Sequence, residues 1–366
     1  MPTDKLNSQI LNAAGQRGER GYAVKKISTV LLAMIICAGL LAGCKTADDK
    51  AATDRQVRQA VTVAGEQTGQ FPVTFTNFDE KGARVDITFT KAPDRVISLT
   101  QITTELMLDL ELEDKLIGVA NFDSPVLPRH AARLAKIPVL AVQYPSKEQL
   151  IAQNPELLVS WRMPFLTEDA LGSAQDWRDR GIQVYLLRLA QNLEGVNTLE
   201  TYYKEIEDFG KMFDIRDRAG AYIAKQQNRI AAIQSRLGGV DRKVRVMMLI
   251  VLDGEKFGVW GQDHFVADMI SKAGGETLVA KSSPINQEII VEQNPDILIC
   301  AAYAIKGMNH ETVLTRLQEN KALQNVAAVK NNRILVVDFA DINTGGVRVV
   351  DTIETFAKAF YPELLQ

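Results

Sequence analysis

Side chains suited to bond-making chemistry are sparse in this 366-residue chain. Its three histidines, His130, His264 and His310, show no spacing that would bring two of them to one metal ion. A free-metal site of clustered histidines and carboxylates is therefore not expected, and neither is a cofactor of the protein's own. There is no Gly-x-Ser-x-Gly elbow, no His-Glu-x-x-His pair and no phosphate-cradling glycine loop. Gly238-Gly239 and Gly274-Gly275 read as helix ends. The pattern argues for binding, not catalysis.

The cysteines carry more information. Lys25-Lys26 precedes an uncharged apolar run from Ile27 to Leu41, which closes on Leu41-Ala42-Gly43-Cys44. Basic residues, a short apolar stretch, small residues and then cysteine is the order of an export leader. It resembles a bacterial lipoprotein signal, in which cleavage leaves Cys44 as a lipidated N-terminus. A transmembrane helix is the competing reading, but Ile27 to Cys44 is at the short end of the ~20 apolar residues a span needs. Residues 1 to 23 are polar and patternless, which places the true start nearer Val24. With Cys37 in the leader (1–43) and Cys44 lipidated, only Cys300 remains, so no internal disulfide forms. Residues 44–70 lack aromatics and read as a tether, reaching on the order of 30 Å. The leader holds five Lys/Arg and two Asp/Glu, so its removal takes the net charge from −3 to about −6. Such a balance does not favour nucleic acid.

Positioning any site are elements that repeat. Lys147-Glu148-Gln149-Leu150-Ile151-Ala152-Gln153-Asn154-Pro155-Glu156 matches Gln287-Glu288-Ile289-Ile290-Val291-Glu292-Gln293-Asn294-Pro295-Asp296 at a constant offset of 140, each followed by an apolar run. Each copy reads as a helix stopped by Asn-Pro and feeding a buried parallel strand. Strands are expected at Val96 to Leu99, Leu116 to Val119, Leu157 to Ser160 and Val184 to Leu187, then at Val244 to Val251, Lys256 to Val259, Ile297 to Cys300 and Ile334 to Val337. An antiparallel hairpin at Val73 to Phe75 and Val85 to Phe89 precedes them. Alternation with helices implies an α/β fold of two doubly wound lobes with largely parallel sheets. The lobes are expected at 71–215 and 239–366, joined by one long helix over 216–238, whose apolar residues fall at helical spacing over ~33 Å. A single stiff helix would not hinge far.

Pro93-Asp94-Arg95-Val96-Ile97-Ser98-Leu99, Thr104-Glu105-Leu106 and Leu116-Ile117-Gly118-Val119, with the paired Gln-Asn-Pro segments and Phe265 to Ile270, resemble the single-helix-hinged substrate-binding proteins of ABC importers for iron-siderophores, haem and cobalamin. The resemblance implies a monomer anchored to the membrane and facing outward. It would capture a small metal chelate, carrying iron or cobalt, between the lobes and deliver it to permease and ATPase subunits. A ferric siderophore is the leading ligand, with a corrinoid or haem as the alternative and a sensor uncoupled from transport as a third reading. In doubly wound lobes a ligand lies beyond the carboxyl ends of the strands. Candidates there are Gln101, Thr103, Trp161, Arg162 and Arg188 from the first lobe, and Trp260, Tyr303 and Phe339 from the second. Aromatic rings offer rigid faces and arginine can grip ligand oxygens. The resemblance further implies permease docking through an exposed carboxylate on each lobe, at Glu105 and Glu288, though either glutamate could instead serve a helix start.

Cys44→Ala is expected to release the domain from the membrane fraction or to leave uncleaved precursor. Fractionation with palmitate labelling tests this, and unchanged processing and labelling would refute lipidation at Cys44.

Overall fold

Strand alternation opens the described chain. A computed structural model describes residues 71–162, 165, 171–190, 195–251, 256–303, 307–343 and 345–364; Cys44, the leader and the tether lie outside the described residues. Strands β1 (Val73–Phe78) and β2 (Arg84–Phe89) pair antiparallel, Val73 opposite Phe89. The Asp79 carboxylate closes their turn by accepting from the N–H groups of Lys81 and Ala83. Phe75 and Phe89 stack at 5.8 Å, and Asn77 bonds both backbone groups of Leu186, seating the hairpin on the first lobe.

The first sheet is built from β3 (Val96–Ser98), β4 (Leu116–Ala120), β5 (Val139–Ala141), β6 (Leu157–Ser160) and β7 (Gln183–Leu186), all parallel, in the order β5-β4-β3-β6-β7. Helices α1 (Gln101–Asp109), α2 (Pro128–Leu134), α3 (Lys147–Ala152) and α4 (Ala174–Arg178) connect them. Strands β3 and β6 are wholly buried, as continuous apolar strands of a covered parallel sheet must be.

Two helices follow, α5 (Leu199–Met212) and α6 (Arg216–Arg236). The second sheet then contains β8 (Val244–Val251), β9 (Phe257–Trp260), β10 (Gly275–Thr277), β11 (Ser283–Ile285), β12 (Ile297–Ala302) and β13 (Ile334–Asp338), in the order β11-β9-β8-β12-β13 with β10 also pairing β8. Its helices include α7 (Phe265–Lys272), α8 (Gln287–Gln293), α9 (His310–Gln318), α10 (Ala327–Lys330), α11 (Phe339–Ile342) and α12 (Val349–Phe360). Strands β8, β12 and β13 are parallel, but β9 runs antiparallel to β8 and β11 antiparallel to β9. The few residues between Val251 and Phe257 are too short for a parallel crossover, which needs a dozen or more. This part of the sheet is therefore a hairpin.

The repeat has a shared structural cause. Asn154 and Asn294 both adopt left-handed backbone, at φ 50 and 41, where Asn is tolerated and the helix ends. An arginine from the preceding strand region then satisfies the stranded carbonyls. Arg95 donates to the carbonyls of Gln153 (2.6 Å) and Asn154 (2.8 Å), and Arg245 to those of Gln293 (2.7 Å) and Asn294 (3.0 Å). Each lobe thus stops its helix with one asparagine and one arginine.

The 21 residues of α6 span ~32 Å and bond to helical segments of both lobes. Near its start Arg218 donates to the carbonyls of Leu110 and Glu111, and the Tyr222 hydroxyl to Asp109. Two turns on, Arg229 pairs with Asp351 (2.7 Å) and Glu354 (2.9 Å) of α12. A second tie lies inside the protein. Arg348, at the start of α12, grips Glu105 of α1 in a buried two-pronged ion pair, Nε to Oε2 at 2.8 Å and Nη2 to Oε1 at 2.6 Å. Its remaining donors reach the Pro125 carbonyl (2.7 Å) and Asp341 (3.1 Å). Beside it Gly346, at φ +93, lies so close to α1 that a Cβ would stand 2.8 Å from the Ile102 side chain.

Arg348→Ala would strand the Glu105 carboxylate in the interior, and is expected to cost about 3–5 kcal/mol. Urea denaturation reads the loss, and a change below about 1 kcal/mol would mean that the pair does not hold this seam.

Candidate functional site

Four side chains of the second lobe form one aromatic run. Tyr303 follows β12, where its backbone pairs with Met308, and Phe339 follows β13 as the first residue of α11. Their rings stack at 4.3 Å and 14°. Trp260 lies 5.8 Å from Phe339, and the His264 ring stacks on Trp260 at 3.9 Å and 11°. Tyr303, Phe339, Trp260 and His264 are all half-buried, leaving ring surface for a ligand. Trp260 arrives by a route that the strand-end rule does not describe. It pairs with Met248, inside β8, because β9 runs antiparallel.

His264 is fixed by its own backbone role. Its Nδ1 accepts the N–H of Val266 and caps α7, which leaves the ring proton on Nε2. Burial pushes its pKa down to about 4, so the ring is neutral at ordinary pH.

The first lobe contributes the loops after β4 and β5. Asn121, in left-handed backbone, donates from Nδ2 to the Tyr144 hydroxyl at 3.0 Å, and Tyr144 is 39% exposed. Asp123 lies on the same loop, within electrostatic reach of Tyr144, Tyr303 and Asp338. Burial pushes its carboxyl up to about 6; Arg348 pulls it down, while Glu105 and Asp338 oppose ionisation. The Ser124 hydroxyl accepts the N–H of Ala340 at 3.2 Å, closing the seam beneath. Trp161 and Arg162 follow β6 and are both half-buried, with Trp161 packed on the main core.

The sequence-derived set divides accordingly. Trp260, Tyr303 and Phe339 come together, and Trp161 and Arg162 stand at the end of their strand as expected. Gln101, 2% exposed, is instead a loop brace: its Oε1 accepts the N–H groups of Asp123 and Ser124, and its Nε2 donates to Glu105 and Pro125. Thr103 is fully buried and bonds Thr100, the N-cap of α1. Arg188 is turned into the first lobe, onto Asp208 at 2.6 Å and the Thr76 carbonyl at 2.5 Å. It therefore holds the hairpin and α5, and its charge is spent there. Glu105 needs the largest correction. At 2% exposure and locked to Arg348, it presents no carboxylate to a docking partner. Glu288 is exposed in the first turn of α8.

Sequence reasoning missed Asp123, Tyr144 and the place of His264 in the aromatic run. The first two had a usable signal, since both follow carboxyl ends of parallel strands. Among the described residues, no group of three His, Cys, Asp or Glu side chains is placed to hold a metal ion.

Two α/β lobes, each built on a largely parallel sheet, define the architectural class. A model of the family described as periplasmic binding protein matches residues 96–340, and the chain belongs to that family. Similar proteins include an uncharacterised ABC transporter substrate-binding lipoprotein of Bacillus subtilis, 24% identical over 93% of this chain and 99% of that protein. A cobalamin-binding protein of Halobacterium salinarum is 24% identical over 80% of this chain and 74% of its own length. Among solved structures, a periplasmic binding protein from Veillonella parvula superposes with TM-score 0.72, at 24% identity, covering 80% of this chain and 98% of that one. An ABC-type Fe3+-hydroxamate transport protein from Saccharomonospora viridis gives 0.64, also at 24% identity, with coverage of 79% and 99%. These structural likenesses carry the fold.

Asp123 gives the site a pH signature. Its folded pKa, about 6, exceeds the ordinary 3.8, so the folded state retains a proton that the unfolded chain releases. Its contribution to stability is therefore lost as pH rises from about 4 to 6. Asp123→Asn should gain on the order of 1 kcal/mol over the parent at pH 7.5, discounted for partial exposure, and nothing at pH 4. Thermal unfolding at the two pH values tests this, and an equal effect at both would exclude Asp123 as the titrating group.

Proposed function

We propose that this chain is the ligand-capturing component of an ABC importer, anchored outside the membrane through lipid on Cys44. It binds a metal chelate between its lobes, a ferric siderophore or a related corrinoid or haem, and hands it to a permease driven by an ATPase. One observation carries the reading. The rings of His264, Trp260, Phe339 and Tyr303 form one run, and Asp123 and Tyr144 of the first lobe lie within electrostatic reach of Tyr303. Membership of the periplasmic binding protein family supports it.

Delivery needs a surface apart from the cleft. Helices α3 and α8 are the repeat-equivalent pair, and each presents an exposed glutamate one turn before an exposed aliphatic residue: Glu148 with Ile151 (38% exposed), and Glu288 with Val291 (42%). Glu148 takes the role that burial denies to Glu105. Matching patches on two lobes suit a permease with two matching basic sites, and carboxylates steer and orient such an encounter.

Tyr303→Ala or Phe339→Ala should weaken chelate binding by ~2 kcal/mol, about thirtyfold in Kd. Glu148→Ala with Glu288→Ala should leave affinity within about threefold while reducing uptake, most visibly at low salt. Calorimetric titration beside a reconstituted transport assay separates the two. Loss of binding in the glutamate pair with normal delivery per bound ligand would sink the division into cleft and docking face.

A further inference from the structure

We infer that His264 is a positioning residue for Trp260: its ring braces one face of the indole, and its effect on a bound ligand runs through that indole. The inference rests on the carrier reading above, in which Trp260 is one of the ligand-facing rings. The turn that brings the two rings together, between β9 and α7, is tied down at each step. Gly261 donates its N–H to the Ser282 hydroxyl at 3.1 Å, and Gln262 donates its own to the Val279 carbonyl at 2.8 Å. Asp263 Oδ1 accepts both the N–H (2.7 Å) and the hydroxyl (2.6 Å) of Ser282. The N–H of His264 then closes the turn on the Gly261 carbonyl at 3.0 Å.

A Cβ on Gly261 would stand 2.7 Å from the Val279 carbonyl oxygen and 2.8 Å from the Lys281 backbone, so the approach admits only glycine. The chain after β9 therefore has one course, and that course returns His264 over Trp260. Its ring is pinned a second time, because Nδ1 accepts the Val266 N–H at 3.2 Å. So held, the imidazole lies nearly parallel to the indole, at 3.9 Å and 11°. That is van der Waals contact, and the face of Trp260 that His264 covers is closed to a ligand.

Position 264 thus does two jobs that other side chains do singly. Asparagine caps a helix but has no ring to stack, and phenylalanine stacks but has no acceptor. Histidine has both, with an acceptor nitrogen bonded directly to Cγ. The cap also engages the one free lone pair of the neutral ring, which leaves none for the metal of a chelate. What the arrangement provides is an indole fixed before the ligand arrives, which spares the entropy of ordering it on binding.

The experiment pairs calorimetric titration, with cyanocobalamin and ferrioxamine B as probes, with fluorine NMR of protein labelled with fluorotryptophan, in which Trp260→Phe identifies the Trp260 line. His264→Asn keeps the cap and removes the stack. It should weaken the tighter-binding probe about fivefold in the parent, and less than about twofold when Trp260→Ala is already present. His264→Phe restores a ring, and should bind that probe at least about threefold more tightly than His264→Asn while hydrogen exchange at the Val266 amide accelerates. Equal losses with and without Trp260, or no loss in the parent, overturn the inference and leave the carrier reading standing. Without ligand, His264→Asn should shift and narrow the Trp260 line as the indole gains freedom. If neither probe binds, the carrier reading fails while that line still decides the positioning: a line that moves upholds it, and an unmoved line overturns it.

Discussion

The buried ion pair between Arg348 and Glu105 is the constraint on which the arrangement of the lobes depends. An isolated carboxylate or guanidinium would be costly in that interior, so neither partner can be withdrawn without the other. Because Glu105 lies midway along α1 and Arg348 caps the start of α12, the pair fixes the middle of the first lobe's opening helix against the head of α12. Gln101 extends the same network to the loop bearing Asp123, and the Pro125 carbonyl closes it. The cleft wall and the seam between lobes are consequently one hydrogen-bonded structure.

Around that seam the protein repeats a single local solution. An asparagine in left-handed backbone ends the helix, an arginine collects the free carbonyls, and an acidic residue just beyond accepts a backbone N–H near that arginine: Glu156 from Asp94, Asp296 from Arg245. The two copies leave corresponding faces of α3 and α8 exposed while the strands that follow are fully buried. Packing demands explain the burial, and they leave Ile151 and Val291 in solvent on corresponding faces.

Much of this was legible in the sequence because it depends on local pattern. The Gln-Asn-Pro repeat, the apolar strands from Leu157 and Ile297, and the helix from Arg216 all declare themselves through spacing and stop signals. Strands β5, β10 and β11 did not, being three residues each. The antiparallel course of β9 was readable only from the shortness of its connection. Site residues fared worse where their role depends on a distant partner. Glu105 reads as an exposed helix-start carboxylate until Arg348, 243 residues away, is placed against it. Arg188 reads as a ligand-gripping arginine until the hairpin supplies the Thr76 carbonyl. The positions of Tyr303 and Phe339, though not a role, were legible because each directly follows its strand.

The helix α6 is bonded near its start to the Asp109–Glu111 turn and two turns later to α12, so it is a strut tied to both lobes. On the carrier reading proposed above, a strut of that kind would limit ligand capture to a rotation about a nearly fixed fulcrum, carrying the patches on α3 and α8 like the tips of two levers. A slight tilt at that fulcrum would change the separation of those tips. A transport partner that grips both tips at once would then work as a caliper, reading occupancy from spacing instead of from a newly exposed surface.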